Sequence, residues 1–269
     1  STIAVQSVTP STSPATITVN NTSGIVTVPN NVPAGSYTVT IRATDNCGGA
    51  GGITDAVFTL TVGCVTSLTV NNLGDGADAT PGNGVCETAT GNGVCTLRAA
   101  IEETNVLTSC TPFTITISVT GTITLASALP LINHPNLTIN GPGANQLTVS
   151  GNNVARVFTI NSGNLNATLS GLTVANGNVA GGSGSGLRNL GAGTVNVTNC
   201  AFTNNASTGG ASGGGVFHSS AGTLNITGST FNGNSANAGG GVSNSAAGIV
   251  NITNCTFSGN TAGFGSAID

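Results

Sequence analysis

Charge is what this sequence has least of. Asp, Glu and Arg together make up 4% of its 269 residues, against roughly 25% in an ordinary globular protein. Lys, Met and Trp are absent and Tyr occurs once. The only cations are Arg42, Arg98, Arg156 and Arg188, so there is no basic patch, and nucleic-acid binding has no electrostatic footing. The acidic residues are Asp45, Asp55, Asp75, Asp78, Glu87, Glu102, Glu103 and Asp269, with none between 104 and 268. Glycoside hydrolysis ordinarily needs two carboxylates across the scissile bond. A lyase needs a base, usually with carboxylate-bound calcium. The long carboxylate-free stretch therefore argues against a polysaccharide-cleaving enzyme, and catalytic residues are expected to be none. No stretch resembles a transmembrane span or a signal peptide. The chain opens at Ser1, read here as a mature or trimmed chain whose export signal has gone.

What is present belongs to β-structure. Hydrophobic residues make up 38% of the chain and the formal net charge is −4, which is the wrong composition for disorder. Val, Ile and Thr supply strands; Gly, at 41 residues, and Asn supply turns. So few charges also leave little repulsion between copies, which suits a self-assembling protein better than a free cytosolic monomer.

Residues 1–63 read as antiparallel β. Tyr37-Thr38-Val39-Thr40-Ile41-Arg42-Ala43-Thr44 alternates with period two, and Asp55-Ala56-Val57-Phe58-Thr59-Leu60-Thr61-Val62 follows a Gly-rich connection. Earlier candidate strands lie near 2–8, 15–20 and 24–28. The stretch Ala34-Gly35-Ser36-Tyr37 through Asp45 resembles the late strands of bacterial immunoglobulin-like or cadherin-like domains. Such a sandwich needs about seven strands. With five readable, the expectation is an incomplete β-sandwich, either truncated or completed by strands from another chain.

Residues 64–110 change character. A Gly/Asn-rich loop holding Cys86 and Cys95 leads into a helix over 96–105, which Thr96 can cap and which carries Leu97, Ala100 and Ile101 on one face. A lone amphipathic helix among strands suits one task, covering the open apolar end of a solenoid.

From 111 to 269 the chain repeats. Gly193-Thr194-Val195-Asn196-Val197-Thr198, Gly222-Thr223-Leu224-Asn225-Ile226-Thr227 and Gly248-Ile249-Val250-Asn251-Ile252-Thr253 are three copies. Each continues into Phe-x-x-Asn, from Phe202, Phe231 and Phe257, and two reach Gly-Gly-Gly-Val at 213–216 and 239–242. Alternation sends Val197, Ile226 and Ile252 inward, with Asn and Thr outward. The three Phe form a second internal stack. The period fits one coil of three short strands, and inexact copies extend back to about six coils of a parallel β-helix.

The other chemistry-bearing residues are few. Seven Cys suit an oxidising location. Cys86 and Cys95 are the favoured disulfide, Cys64 and Cys110 a second possible one, and Cys47 is left over. Cys200 and Cys255 are two coils apart, roughly 10 Å, too far to bond, and read as small buried hydrophobes. Asp75, Asp78 and Glu87, near Asn72 and Asn83, have the chemistry of a loop calcium site; a solvated polar loop is the alternative, as it is for Asp45 and Asp55. His134 and His218 read as structural surface histidines, and Arg156 and Arg188 as solvated. Nine Asn-x-Ser/Thr sites, among them Asn136, Asn166, Asn196, Asn225 and Asn251, are formal glycan acceptors, although side-chain ladders between coils account for the same residues.

Residues 66–269 resemble bacterial surface proteins carrying a Cys-Ser-Leu-Arg-Glu-Ala motif, through Cys95-Thr96-Leu97-Arg98-Ala99-Ala100-Ile101 and Asn105. Thr96 and Ala99 depart from that pattern, and Ala99 removes any ion pair from Arg98 to a Glu within the motif. The Phe-x-x-Asn and Gly-Gly-Gly-Val repeats are similar to those of the polymorphic outer-membrane proteins. The resemblance implies a right-handed parallel β-helix with an N-terminal helical cap and a cell-surface or extracellular location, and no particular ligand. The resulting expectation is an all-β, non-enzymatic structural or adhesive protein. It would form a homo-oligomer or filament through strand completion or through end contacts at the last coil, which reaches Ala267-Ile268-Asp269 without a cap. Carbohydrate binding on the Asn/Thr face, or an inactive relative of polysaccharide-cleaving enzymes, are the alternatives.

Overall fold

The computed structural model of the protein describes residues 2–9, 16–28, 32, 35–44, 52–163 and 165–269. Asp45 and Cys47 lie outside the described residues. The chain divides into two compact units, residues 1–65 with 82–84, and residues 66–81 with 85–269.

In the first unit the long alternating segments become strands. Gly35–Thr44 is the centre of a three-stranded antiparallel sheet, flanked by Thr2–Thr9 and Ile53–Val62. Thr18–Val19 and Val26–Thr27 pair as a small hairpin, its turn held by the Asn20 carboxamide oxygen accepting from the Thr22 and Ser23 amides. One face is covered: Ile17, Val32, Tyr37 and Val39 are buried together, with Val5, Val8 and Leu60 packed against them. The five strands are thus those of a sandwich-like antiparallel unit.

The second unit is a parallel β-solenoid of about five turns with one helix. Four strands make each complete turn, one more than the repeat length suggests. Face I stacks seven strands in parallel, Ser67–Val70, Phe113–Ile117, Asn136–Asn140, Asn166–Ser170, Thr194–Thr198, Thr223–Thr227 and Ile249–Thr253. Face II runs from Gly121–Thr124 to Thr256–Ser258, face III from Asn178–Ala180 to Thr261–Phe264, and face IV from Phe158–Gly163 to Val242–Asn244. Faces III and IV have four strands each, against seven on face I and six on face II.

The extra strand has a readable cause. The segment following each face-I strand bends twice, at a residue with positive φ. The first corner is Gly171, Asn199, Gly228 and Asn254 in successive turns, and the second is Asn176, Asn204, Gly233 and Gly259. Only Gly and, at modest cost, Asn adopt this left-handed conformation readily, so both corners are filled by Gly or Asn alone. Each Phe-x-x-Asn run therefore breaks into two short strands. The Gly-Gly-Gly run is required by crowding instead: a Cβ at Gly215 would stand 2.6 Å from the Gly241 carbonyl oxygen of the next turn.

Register is in phase along faces I and II. Val197, Ile226 and Ile252 are aligned, as are Phe202, Phe231 and Phe257. The Phe rings stack with centroids 4.9 and 4.7 Å apart, tilted by 4° and 6°. Offset aromatic contacts of this kind contribute about 0.5–1.5 kcal/mol each beyond burial.

The helix spans Leu97–Val106 and packs on the first two strands of face I. Thr96 is its N-cap, the hydroxyl accepting from the Ala99 amide at 3.1 Å, and Leu97, Ala100 and Ile101 are fully buried. No helix among the described residues is long and apolar enough to cross a membrane.

Candidate functional site

The loop leading to the helix holds three of the solenoid unit's six acidic side chains, Asp75, Asp78 and Glu87, and they are engaged separately. Asp75 forms a two-point pair with Arg98, Nε to Oδ1 at 3.0 Å and Nη2 to Oδ2 at 2.9 Å, with side chains only 9% and 11% exposed. Arg98 also donates to the Ser127 and Ala128 carbonyls, and Asp75 accepts from the Ala126 amide. Both Asp75 oxygens thus serve Arg98 and the next loop. Arg98 takes its carboxylate from 23 residues upstream.

Asp78 accepts from the Thr80 amide while its own amide donates to Glu102, and burial raises its pKa. Glu87 accepts from the Gly91 amide. Among the described residues no group of three His, Cys, Asp or Glu is placed to hold a metal ion. Cys86 and Cys95 are disulfide-bonded, with Cα atoms 5.1 Å apart, and Cys64 and Cys110 are each disulfide-bonded as well. Cys200 is free and buried, its thiol pushed up to about 11 by desolvation, and Cys255 is free and half-buried.

Both histidines are fully buried, so the surface placement expected for them is overturned. His218 stands in an inward row of face IV, between Asn189 and Asn244. The Asn189 oxygen accepts from the Gly191 amide, so its NH2 faces His218 Nδ1 at 2.9 Å. Nδ1 must then accept, and Nε2–H points at the Gly222 carbonyl, 3.3 Å away. His134 repeats the arrangement, Nδ1 accepting from the Asn136 amide and Nε2 facing the Cys110 carbonyl at 3.2 Å. Burial lowers the pKa of both rings. A neutral imidazole with both nitrogens occupied is a structural group.

A second buried polar row lies at the corner between faces II and III. Asn205 and Asn234 are fully buried. Asn205 donates from Nδ2 to the Val174 carbonyl and to the Asn234 oxygen, which also accepts from the Asn205 amide. Asn234 repeats the pattern towards the Phe202 carbonyl and Asn260. The sequence shows the recurrence but not the inward turn of the amide, which depends on the left-handed residue just before it.

Outside, face I carries two uninterrupted columns of hydroxyls and amides. One runs Ser67, Thr114, Thr138, Thr168, Asn196, Asn225 and Asn251, the other Thr69, Thr116, Asn140, Ser170, Thr198, Thr227 and Thr253. Asn251 donates to Asn225 and Asn225 to Asn196, each at 2.9 Å. No charged residue falls in either column.

These features define a parallel β-solenoid with internal amide and aromatic ladders and a neutral hydroxyl face. Comparison with protein-family models, with curated proteins and with solved structures found no match.

Proposed function

We propose that this is a non-enzymatic, extracellular or cell-surface protein with a structural or adhesive role, which self-associates by strand completion in its first unit. The reading rests on the strand Ile53–Val62. Over all ten residues it pairs with Gly35–Thr44 in unbroken register, and on its other side no strand is present among the described residues. Ile53 and Val57 are 61% and 63% exposed, and Phe58 is also exposed. Natural edges are kept short, bulged or charged. This one is long and regular, and its single charge, Asp55, is paired with Arg42 at 2.7 Å. Such an edge fits addition of a further strand by main-chain hydrogen bonding.

Supporting the non-enzymatic part are the carboxylate-free stretch from 104 to 268 and the two histidines held in buried hydrogen bonds. Disulfides and the family resemblance of residues 95–101 favour the extracellular surface. Sedimentation of the native protein across a concentration series tests assembly. Val57→Lys puts a charge on the edge at an exposed position and is expected to abolish association while leaving the melting temperature nearly unchanged. A monomeric wild type at high concentration, or an equally associated variant, removes the proposal. The neutral columns of face I favour a second reading, a platform for uncharged glycans, for which selective retention on a glycan array is the test.

A further inference from the structure

The three-stranded sheet of the first unit has two edges among the described residues, and they differ. Thr2–Thr9 forms one, and its pairing with Gly35–Thr44 slips register between Val5 and Ser7. Such a bulge bends and twists a strand, one of the ways in which edges are protected against further pairing. Ile53–Val62 forms the other and pairs along its whole length without a slip. Head-to-tail growth needs two different surfaces that fit each other. Here only one edge lacks protection, and an edge that pairs with its own copy closes as a dimer.

The residues of this edge suit such self-pairing. Phe58 and Leu60 stand opposite Val39 and Tyr37, and directly opposed residues share a face of the sheet. Val39 and Tyr37 are buried and Leu60 packs against them, whereas Phe58 is 36% exposed. The apolar face therefore reaches the edge strand and is left partly uncovered at its aromatic ring. A second copy related by a two-fold axis perpendicular to the sheet keeps this face continuous. With the axis at Phe58, the two Phe58 rings oppose each other, Leu60 opposes Ala56 and Val62 opposes Thr54 on the inner face. On the outer face Val57 opposes Thr59 and Asp55 opposes Thr61. Moving the axis one residue, to Val57, would set Phe58 against Ala56 and Leu60 against Thr54 and lose the aromatic pair, which is among the more favourable cross-strand contacts. Like charges are not opposed in the Phe58 register, since Asp55 is the only charged residue of the strand and is paired with Arg42.

We propose that the partner in strand completion is a second copy of this chain, joined through antiparallel Ile53–Val62 strands as a closed dimer with its two-fold axis at Phe58. This dimer presupposes the strand completion proposed above and specifies its partner, register and symmetry.

Sedimentation of the whole protein across a concentration series is expected to reach a plateau at twice the monomer mass. Phe58→Lys and Phe58→Asp place like charges on the axis and should each weaken dimerisation roughly tenfold or more. Their equimolar mixture should restore it, because position 58 faces itself only in the two-fold arrangement. Ala4→Lys, which charges the bulged edge, should dimerise as wild type. Independently of whether the charged variants fold, mild oxidation of Phe58→Cys should yield a peptide disulfide-linked to its own copy at position 58, read by mass spectrometry. Masses growing beyond the dimer, or association lost in Ala4→Lys, would overturn the closed dimer and leave strand completion standing. Folded charged variants that do not rescue each other, or absence of the linked peptide, would overturn the Phe58 axis in the same way. A wild type that stays monomeric would overturn strand completion itself, and the dimer with it.

Discussion

Asn234 does in one side chain what a strand does with its backbone. Its oxygen accepts from the amide and the carboxamide of Asn205, and its NH2 donates to the Phe202 carbonyl and to Asn260. Replacement by Ala leaves these groups buried and unpaired, each costing about 1–3 kcal/mol before relaxation. Asn234→Ala is expected to destabilise the solenoid by about 2–4 kcal/mol in urea unfolding. Asn260→Ala should cost less, because Asn260 is only half-buried. Phe231, held between two rings, should lose about 3–5 kcal/mol on replacement by Ala. At this scale the inward Val, Ile and Phe rows were readable from period-two alternation. The buried carboxamides were not, because alternation restarts after each left-handed corner, and Asn serves at both the corner and the ladder.

The cap helix and its loop give the clearest case at the scale of elements. Helical spacing and a threonine before the apolar residues were sufficient to place the helix within one residue at either end. What anchors it was hidden, since Asp75 lies far upstream in a loop without regular structure. Arg98→Ala strands a largely buried aspartate and frees two carbonyls, and should cost about 3–5 kcal/mol. Thr96→Ala, which removes only the cap, should cost about 1 kcal/mol. Thermal unfolding monitored by circular dichroism ranks the two. A reversed order would mean that the Arg98 pair is not what fastens the loops at 75 and 126 to the helix. The four-strand turn was misread as three for a related reason: a 26- or 29-residue repeat fits either, and only the backbone angles at Asn199 and Asn204 decide.

The whole molecule carries a pH dependence set by so few groups that its sign can be assigned. In the unfolded chain each histidine binds a proton near pH 6.5, whereas burial holds His134 and His218 neutral to lower pH. Below about 6.5 the unfolded state therefore binds more protons than the native one, and stability falls as the solution is acidified. It is fully present above that value. Asp78, whose carboxyl is raised by burial, acts in the opposite sense above the ordinary carboxylate range, where its ionised form is disfavoured in the folded state. The urea midpoint should decline from pH 7 to pH 5, and the His134→Gln, His218→Gln double variant should flatten that slope. An unchanged slope would show that the histidines are not what acid attacks.

The parallel register of the four faces also has a mechanical side. Hydrogen bonds between turns run along the solenoid axis, so tension applied along that axis pulls on them end to end and opens them a few at a time. Tension along the strands must shear a whole row at once. Axial stretching of a single molecule should therefore peel turn after turn at low, repeated force. With successive turns offset by 29 residues from Thr194 to Thr223 and by 26 from Thr223 to Ile249, each release lengthens the chain by roughly 90–100 Å. A protein built this way yields progressively along its axis and resists force across it.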